Sequence, residues 1–175
     1  MKTTITYESV LTDLTIEERN EKFNNLDEKT QRLEIAWDAL NLVVEELIKP
    51  SVGTYWNFSL RSVRGNSKEL QETFTNKEFY QANNCEVCQR GLMMLSQIRL
   101  GNSIDSKEFQ KEKGRAGIIK GFSMDTFMYM ENEYERSQYK HPYNNNSKEK
   151  LANICCNVIT NGDFYISDKT DYLIH

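Results

Sequence analysis

The fold is decided by the stretch from Asp27 to Pro50, which reads DEKTQRLEIAWDALNLVVEELIKP. Its apolar residues recur at spacings of three and four, the period of an α-helix that buries one face. We predict a helix from Glu28 to Lys49, with Asp27 as its N-cap and Pro50 as its stop. The residues expected to face the core are Leu33, Ala36, Trp37, Leu40, Val43, Val44 and Leu47.

Three further helices have recognisable start signals. Thr15 and Glu18 form a capping-box pattern, in which each side chain accepts a backbone N–H of the first turn. Ser123 and Ser147 each precede an amphipathic run and have the hydroxyl of an N-cap residue. The predicted helices cover residues 16 to about 24, 124 to about 138 and 148–160, with a charged helix over 106–113 and a single turn over 76–80.

Strand signals are fewer than helix signals. The segment from Val52 to Val63 is rich in aromatic and β-branched residues and predicts a strand. The segments 3–10 and 164–166 predict a short strand and an edge strand. Because the chain has no internal repeat and no linker, we predict an α+β fold that is predominantly α-helical. Residues 1–175 are expected to form a single compact domain with a small antiparallel sheet.

The composition excludes several classes of protein. A net charge of -4 and a pI of about 5.4 argue against general DNA binding, because neutralising phosphates requires a cationic surface. No segment is long and apolar enough to span a membrane, and the first residues lack the apolar stretch of a signal peptide. We therefore expect a cytoplasmic protein without membrane association, whose four cysteines stay reduced.

The segment from Cys85 to Leu100, CEVCQRGLMMLSQIRL, has the most chemical character. Cys85 and Cys88 are predicted to share one face of a helix near its N-terminus, where the helix dipole lowers a thiol pKa. That arrangement suits thiolate catalysis or half of a zinc site. The pattern completes neither a redox site nor a zinc site. A redox motif normally follows a strand, and a structural zinc site needs four ligands. The remaining candidate ligands or catalytic partners are Cys155, Cys156, His141 and His175.

We therefore expect no bound metal, no cofactor and no catalytic residue, with Cys85 and Cys88 as weak candidates for metal ligands. The thiols are interpreted as small buried side chains at a helix crossing, where Gly91 permits close approach. The acidic residues at positions 131, 133 and 135 are interpreted as solvated helix surface, since no two of them form a recognisable acid–base pair.

Two basic segments that contain glycine predict a site for a small anion. Glycine-rich turns expose backbone amides, and guanidinium groups suit phosphate. Neither segment matches a Walker or dinucleotide-binding pattern, so the sequence does not support nucleotide hydrolysis or hydride transfer. One segment has Lys107, Lys111, Lys113, Arg115 and Lys120 around Gly114–Gly117, and the other has Arg61, Arg64 and Lys68 around Gly65.

An aromatic ring beside these segments would complete a nucleotide-sized pocket by stacking on a base. A solvated charged surface is the alternative, because Asp105, Glu108 and Glu112 interleave the first segment. The predicted ligand-binding residues are Tyr55, Trp56, Arg64, Arg90, Arg115 and Lys120.

The order of several short motifs resembles a loose group of small bacteriophage and prophage proteins. These motifs span residues 28–164 and comprise Leu33-Glu-Ile-Ala36, Asp38-Ala-Leu40, Gly53-Thr-Tyr55, Cys85-x-x-Cys88-x-x-Gly91, Phe122-Ser123 before an acidic helix with Glu131 and Tyr134-Glu135, and Asn153-Ile-Cys155 to Asn161-Gly162. The chain departs from the group after Gly91, where it has Leu92-Met93 and the group commonly has Ala-Leu. The resemblance implies a phage accessory role, such as interference with host defence, and transfers no catalytic residue.

Together these observations predict a non-enzymatic, homo-oligomeric accessory protein that counters host defence by binding a small anionic, nucleotide-like ligand. If the chain is phage-encoded, its location is the host cytoplasm. One alternative is a protein–protein inhibitor that docks a host target through an exposed aromatic strand. The less favoured alternative is a cysteine-dependent enzyme.

Overall fold

Helices dominate the computed structural model, which describes residues 2–53, 56–57, 65–101, 119–135, 147–166 and 171–173. Within these ranges the predicted helix-rich α+β class is confirmed. The seven helices of the described ranges are α1 (Ile16–Asn25), α2 (Glu28–Val44), α3 (Ser67–Thr75), α4 (Lys77–Asn83), α5 (Gln89–Leu100), α6 (Met124–Glu135) and α7 (Ser147–Asn161).

Two small sheets accompany the described helices. One pairs β1 (Lys2–Thr4) with β5 (Asp171–Leu173) in parallel. The other contains β2 (Lys49–Pro50), β3 (Trp56–Asn57) and β4 (Glu86–Val87) in the order β2-β4-β3, with β2 parallel and β3 antiparallel to β4. The prediction of an antiparallel sheet is therefore wrong. The chain between β2 and β4 contains α3 and α4, and a crossover of that length permits parallel pairing.

Helix α2 lies at the centre and packs against α5 and α7. Asp27 caps it as predicted, since its carboxylate accepts the N–H of Thr30 at 3.0 Å. The buried surface extends around more of the helix than the predicted stripe. Trp37, which is predicted to face the core, is only half-buried and packs beside Tyr7, with ring centroids 5.7 Å apart. The buried residues of α2 are Gln31, Glu34, Ile35, Ala36, Ala39, Leu40, Leu42 and Val43.

The prediction that α2 continues to Lys49 is wrong. Glu46 adopts a left-handed φ of 57°, and the N–H of Leu47 donates to the carbonyl of Leu42 at 3.1 Å. This is the pattern of a Schellman cap, which ends a helix. Lys49 then enters β2, because the residue before a proline favours an extended backbone.

The predicted N-caps of α1 and α6 are confirmed, whereas α7 begins at Ser147 itself, so Ser147 is its first residue and not its N-cap. The capping box of Thr15 and Glu18 is formed, and Ser123 Oγ accepts the N–H of Thr126 at 3.1 Å. The predicted edge strand over 164–166 is absent, because the side chain of Asn157 bonds both the N–H and the carbonyl of Tyr165 at 2.9 Å. The helix predicted over 106–113 lies outside the described residues.

An ion pair joins α5 to α2 and α3. Arg99 Nε donates to Oδ2 of Asp38 at 2.9 Å, and Nη2 donates to Oδ1 at 3.2 Å. Its Nη1 donates to the carbonyl of Phe74 at 2.5 Å. Both side chains of the pair are mostly buried, so one guanidinium holds three helices in register.

No helix in the described ranges has both the length and the apolar character that a bilayer crossing requires.

A buried carboxylate fixes the N-terminal segment to α2. Glu34 is 1% exposed and accepts three hydrogen bonds. They come from the hydroxyl of Tyr7 at 2.7 Å, the hydroxyl of Ser9 at 2.6 Å and the N–H of Val10 at 2.9 Å. Because each of these donors lies in the segment before α1, the carboxylate determines where that segment crosses the helix.

We predict that Glu34→Ala lowers the free energy of unfolding by about 3 kcal/mol or more, since it leaves three donors without their acceptor. Glu34→Gln keeps one acceptor oxygen and should cost about 1 kcal/mol. Urea denaturation followed by circular dichroism measures both. The control is Glu21→Ala on the exposed face of α1, for which a change within about 0.5 kcal/mol is expected. A loss for Glu34→Ala no larger than that of the control would contradict the assigned role.

Candidate functional site

The two cysteines of the Cys-x-x-Cys segment do not share a helix face. Cys85 precedes β4, whereas Cys88 is the N-cap of α5. The backbone of β4 separates them and bonds to β2, with the N–H of Lys49 donating to the carbonyl of Cys85 at 2.8 Å. Cys85 lies near Tyr80, and Cys88 lies near Tyr134. The predicted placement of both thiols on one helix face is therefore wrong.

All four thiols are buried, and burial determines their protonation. It raises the pKa of Cys85 to about 12 and the pKa of Cys156 to about 12. Burial also raises the pKa of Cys88, although the N–H groups of Arg90 and Gly91 act in the opposite direction. Desolvation therefore outweighs the helix N-terminus, and the thiols are protonated at neutral pH. This speaks against thiolate catalysis.

The described residues do not form a metal-binding site. No three cysteine, histidine or acidic side chains there come close enough together to hold a metal ion. Cys155 and Cys156 lie in the buried part of α7. His141 and His175 lie outside the described residues.

Arg90 is neutralised by α6. Its guanidinium pairs with the carboxylate of Glu131 and lies 5.7 Å from the ring centroid of Phe127. Glu135 also lies at this end of α5 and accepts the N–H of Gly53 at 2.8 Å. Burial raises the pKa of Glu135. The hydrogen bond from Gly53 lowers this pKa, and the charge of Glu131 raises it. The carboxylate of Glu131 thus occupies the guanidinium of Arg90, which disfavours an anion here.

Trp56 is 2% exposed in β3, so its ring is not available to stack on a ligand at the surface or to dock a partner protein. Its indole packs within the core cluster. The other aromatic candidate, Tyr55, lies outside the described residues, as do Arg64 and Arg115.

Lys120 lies at the opposite end of α5 from Arg90. Its N–H donates to Oε1 of Gln97 at 2.6 Å, and its ammonium group bonds Oδ1 of Asn24. Gln97 follows Arg90 by seven residues, which is about 10 Å along a helix axis. Arg90 and Lys120 therefore do not border one small pocket. Lys120 lies instead beside α1.

A cleft of about 170 Å³ lies between α1 and α3, and one of its lining residues, Asn24, bonds Lys120. Its walls carry three side-chain amides, one hydroxyl, one carboxylate and one ammonium group. The first turns of both helices line it, and the N–H groups there give a helix start a partial positive charge. The lining residues are Ile16, Glu17, Asn20 and Asn24 from α1, Ser67, Lys68 and Gln71 from α3, and Gly101.

Hydrogen bonds hold the cleft walls in place. Gln71 is 1% exposed, and its Nε2 donates to Oδ1 of Asn20 at 2.6 Å and to the carbonyl of Arg99 at 2.9 Å. Nδ2 of Asn24 donates to the carbonyl of Gly101 at 2.9 Å. The amide-lined wall is thus connected to the end of α5 and is organised before any ligand arrives.

The rim of the cleft carries an exposed ion pair. Lys68 Nζ lies 3.0 Å from Oε1 of Glu17, and their side chains are 63% and 68% exposed. The hydrogen bond and charge of Lys68 lower the pKa of Glu17. The pKa of Lys68 is raised by Glu17 and also by Glu72, whose carboxylate lies 4.0 Å from Nζ. An exposed pair of this kind contributes little stability, so an incoming ligand can separate it at small cost.

Both basic segments of the sequence connect to the described structure at this cleft. Gly65 precedes the lining residues Ser67 and Lys68, so the segment with Arg61 and Arg64 joins there. Gly101 lines the cleft, and Lys120 bonds Asn24 from its edge. Gly101 and Ile119, which precedes Lys120, are the described residues on either side of the segment 102–118.

Sequence reasoning anticipated Lys68 and Lys120 but missed Asn20, Asn24 and Gln71. In a sequence these amides look like solvated helix surface, although Gln71 is buried beside Leu70 and Phe74. Only the crossing of α1 and α3 brings the three amides together.

No family model, no curated protein and no solved structure matches the chain. The resemblance to bacteriophage proteins therefore stays a prediction.

We predict that the four thiols of the native protein react slowly with Ellman's reagent near pH 8, because burial keeps them protonated and covered. The unfolded protein should release four equivalents of chromophore rapidly. Absorbance kinetics with and without denaturant measure the difference. One fast equivalent in the native protein that disappears in Cys85→Ser would indicate a reactive thiolate instead.

We also predict that the free energy of unfolding falls as the pH rises above 9. The ordinary thiol pKa of 9.0 applies to the unfolded chain, whereas burial raises the pKa of Cys85 and of Cys156 to about 12. Between these values the unfolded chain binds fewer protons than the native protein, so stability falls as pH rises. Urea midpoints from pH 8 to 10.5 measure the slope. Cys156→Ala should make the slope shallower, and an unchanged slope would contradict the assignment.

Proposed function

We propose that the protein is a non-enzymatic binding protein that holds a small phosphorylated anion in the cleft between α1 and α3. The observation that supports this is the position of Lys68 and Lys120, one from each basic segment, at one amide-lined cleft. The proposal keeps the anionic, nucleotide-like ligand expected from the sequence. It moves the site from Arg90 and Trp56 to α1 and α3.

The size of the cleft limits what enters it. About 170 Å³ is smaller than the roughly 300–1,000 Å³ of a typical drug-sized pocket. A phosphate group with part of a ribose is of the right order, whereas a complete nucleotide is too large. We therefore propose that a nucleotide would bind by its phosphate and leave its base outside the described walls.

The chemistry of the lining suits a phosphate oxygen better than a neutral group. Lys68 would supply the positive charge, the amide of Asn20 and the hydroxyl of Ser67 would supply neutral hydrogen-bonding groups, and the two helix starts would add partial positive charge. Glu17 opposes binding, because its carboxylate occupies Lys68 and repels an anion. The ligand must therefore displace Glu17, which predicts opposite effects for the two rim residues.

We predict that Lys68→Ala weakens the binding of inorganic phosphate and of adenosine monophosphate by about tenfold or more, since it removes the cation at the cleft. Glu17→Gln should strengthen binding by about threefold to tenfold, because the competing carboxylate is neutralised. Isothermal titration calorimetry at low salt measures both, with adenosine as the uncharged comparison.

Lys77→Ala is the matched control for this experiment. Lys77 is 64% exposed and pairs with Glu45, much as Lys68 pairs with Glu17, but it lies beyond the other end of α3. Its removal changes the net charge by the same amount and should leave the phosphate affinity unchanged. The proposal fails if the wild-type protein binds neither probe, or if Lys68→Ala and Lys77→Ala have the same effect.

A further inference from the structure

We infer that the outward face of α6 is a docking surface for a basic amphipathic helix of another protein. This inference concerns a surface on a different helix from the phosphate cleft and does not depend on it. It rests on the residues that α6 leaves exposed and on the charge of the helix.

The outward face of α6 carries large apolar side chains. Met124, Met128 and Tyr129 are 49%, 48% and 54% exposed. At 100° per residue they lie with Asp125 and Asn132 within an arc of about 140°. The opposite arc carries Phe127, Met130 and Tyr134, which are buried.

Helix α6 therefore has apolar residues on both faces, and the rest of the described structure covers only one of them. Methionine is flexible and polarisable, and both methionine and tyrosine are enriched where proteins bind one another. Met124 and Met128 are four residues apart and adjoin on the helix surface, and Tyr129 lies about 100° around the helix from Met128. An exposed apolar face of this kind suits the apolar stripe of another helix.

Charge determines which helix would fit. The sequence of α6, MDTFMYMENEYE, contains four carboxylates and no lysine or arginine. Arg90 pairs with one of them, that of Glu131. Of the remaining acids, Asp125 and Glu135 lie inside the arc, where Glu135 also accepts the N–H of Gly53, and Glu133 lies about 40° beyond it. A partner helix with lysine or arginine beside its apolar stripe would place opposite charges at the rim of the contact.

The same charge disfavours a second copy of this chain as the occupant. A symmetric contact places a patch against itself, so α6 would meet α6. The carboxylates of the two helices would then face each other, and like charges across an interface reduce affinity. A basic partner avoids this repulsion, and its positive charges are attracted to the carboxylates of α6.

The inference is tested with a defined peptide rather than with an unidentified partner. The probe is a fluorescein-labelled amphipathic peptide of about 18 residues, with leucine at helical spacing and lysine at the other positions. A second peptide has glutamate in place of every lysine. Fluorescence anisotropy against the full chain should show binding of the lysine peptide, weakening at high salt, and at least tenfold weaker binding of the glutamate peptide.

Two variants locate the binding on α6. Met124→Ser combined with Met128→Ser should weaken binding of the lysine peptide by about tenfold. Tyr165→Ser removes a side chain that is 53% exposed outside α6, and it should leave binding unchanged. Because the substituted side chains are exposed, thermal unfolding should show that each variant stays folded.

Several results would overturn the inference. They are equal binding of the two peptides, no binding of the lysine peptide, unchanged binding by the methionine variant, or an equal loss in Tyr165→Ser. A wild-type dimer in sedimentation experiments that the methionine substitutions convert to monomer would also overturn it, by assigning the face to a second copy.

Discussion

The ion pair between Asp38 and Arg99 is the constraint on which the rest of the structure depends. The guanidinium of Arg99 joins α5 to α2 and also donates to the carbonyl of Phe74, in the last turn of α3, at 2.5 Å. A lysine has one ammonium centre and could not form the same fork. The backbone of Arg99 then accepts the amide of Gln71, the buried residue of the cleft wall. One residue thereby fixes both the helix packing and the site that lies on top of it.

Helix α5 separates the two surfaces that we assign to recognition. Its C-terminal end contributes Gly101 to the cleft, where helix starts, amides and a lysine favour an anion. Its N-terminal end contributes Arg90, which Glu131 of α6 neutralises. The two ends therefore differ in the charge that they attract. A small anion at one end and a basic helix at the other would not compete for the same groups.

The Cys-x-x-Cys segment illustrates how burial overrides a local motif. A helix N-terminus favours a thiolate, and the N–H groups of Arg90 and Gly91 do act on Cys88 in that direction. The loss of solvent around the sulfur is the larger effect, and it raises the pKa. The same residues that looked most reactive in the sequence are part of the core, as their interpretation as packing side chains predicted.

The sequence by itself determined where three of the seven described helices begin, because an N-cap is an interaction between residues three apart. Thr15, Asp27 and Ser123 each accept the predicted N–H. It did not determine where α2 ends, since the left-handed Glu46 has no strong local signal. It also missed β4, because a strand of two residues forms only when β2 and β3 lie on either side of it. The cleft depends on residues from Ile16 to Gly101 meeting across two helices, and no local pattern encodes that distance. Caps are local and therefore legible in a sequence, whereas strand pairing and cleft geometry arise only from the packing of distant segments.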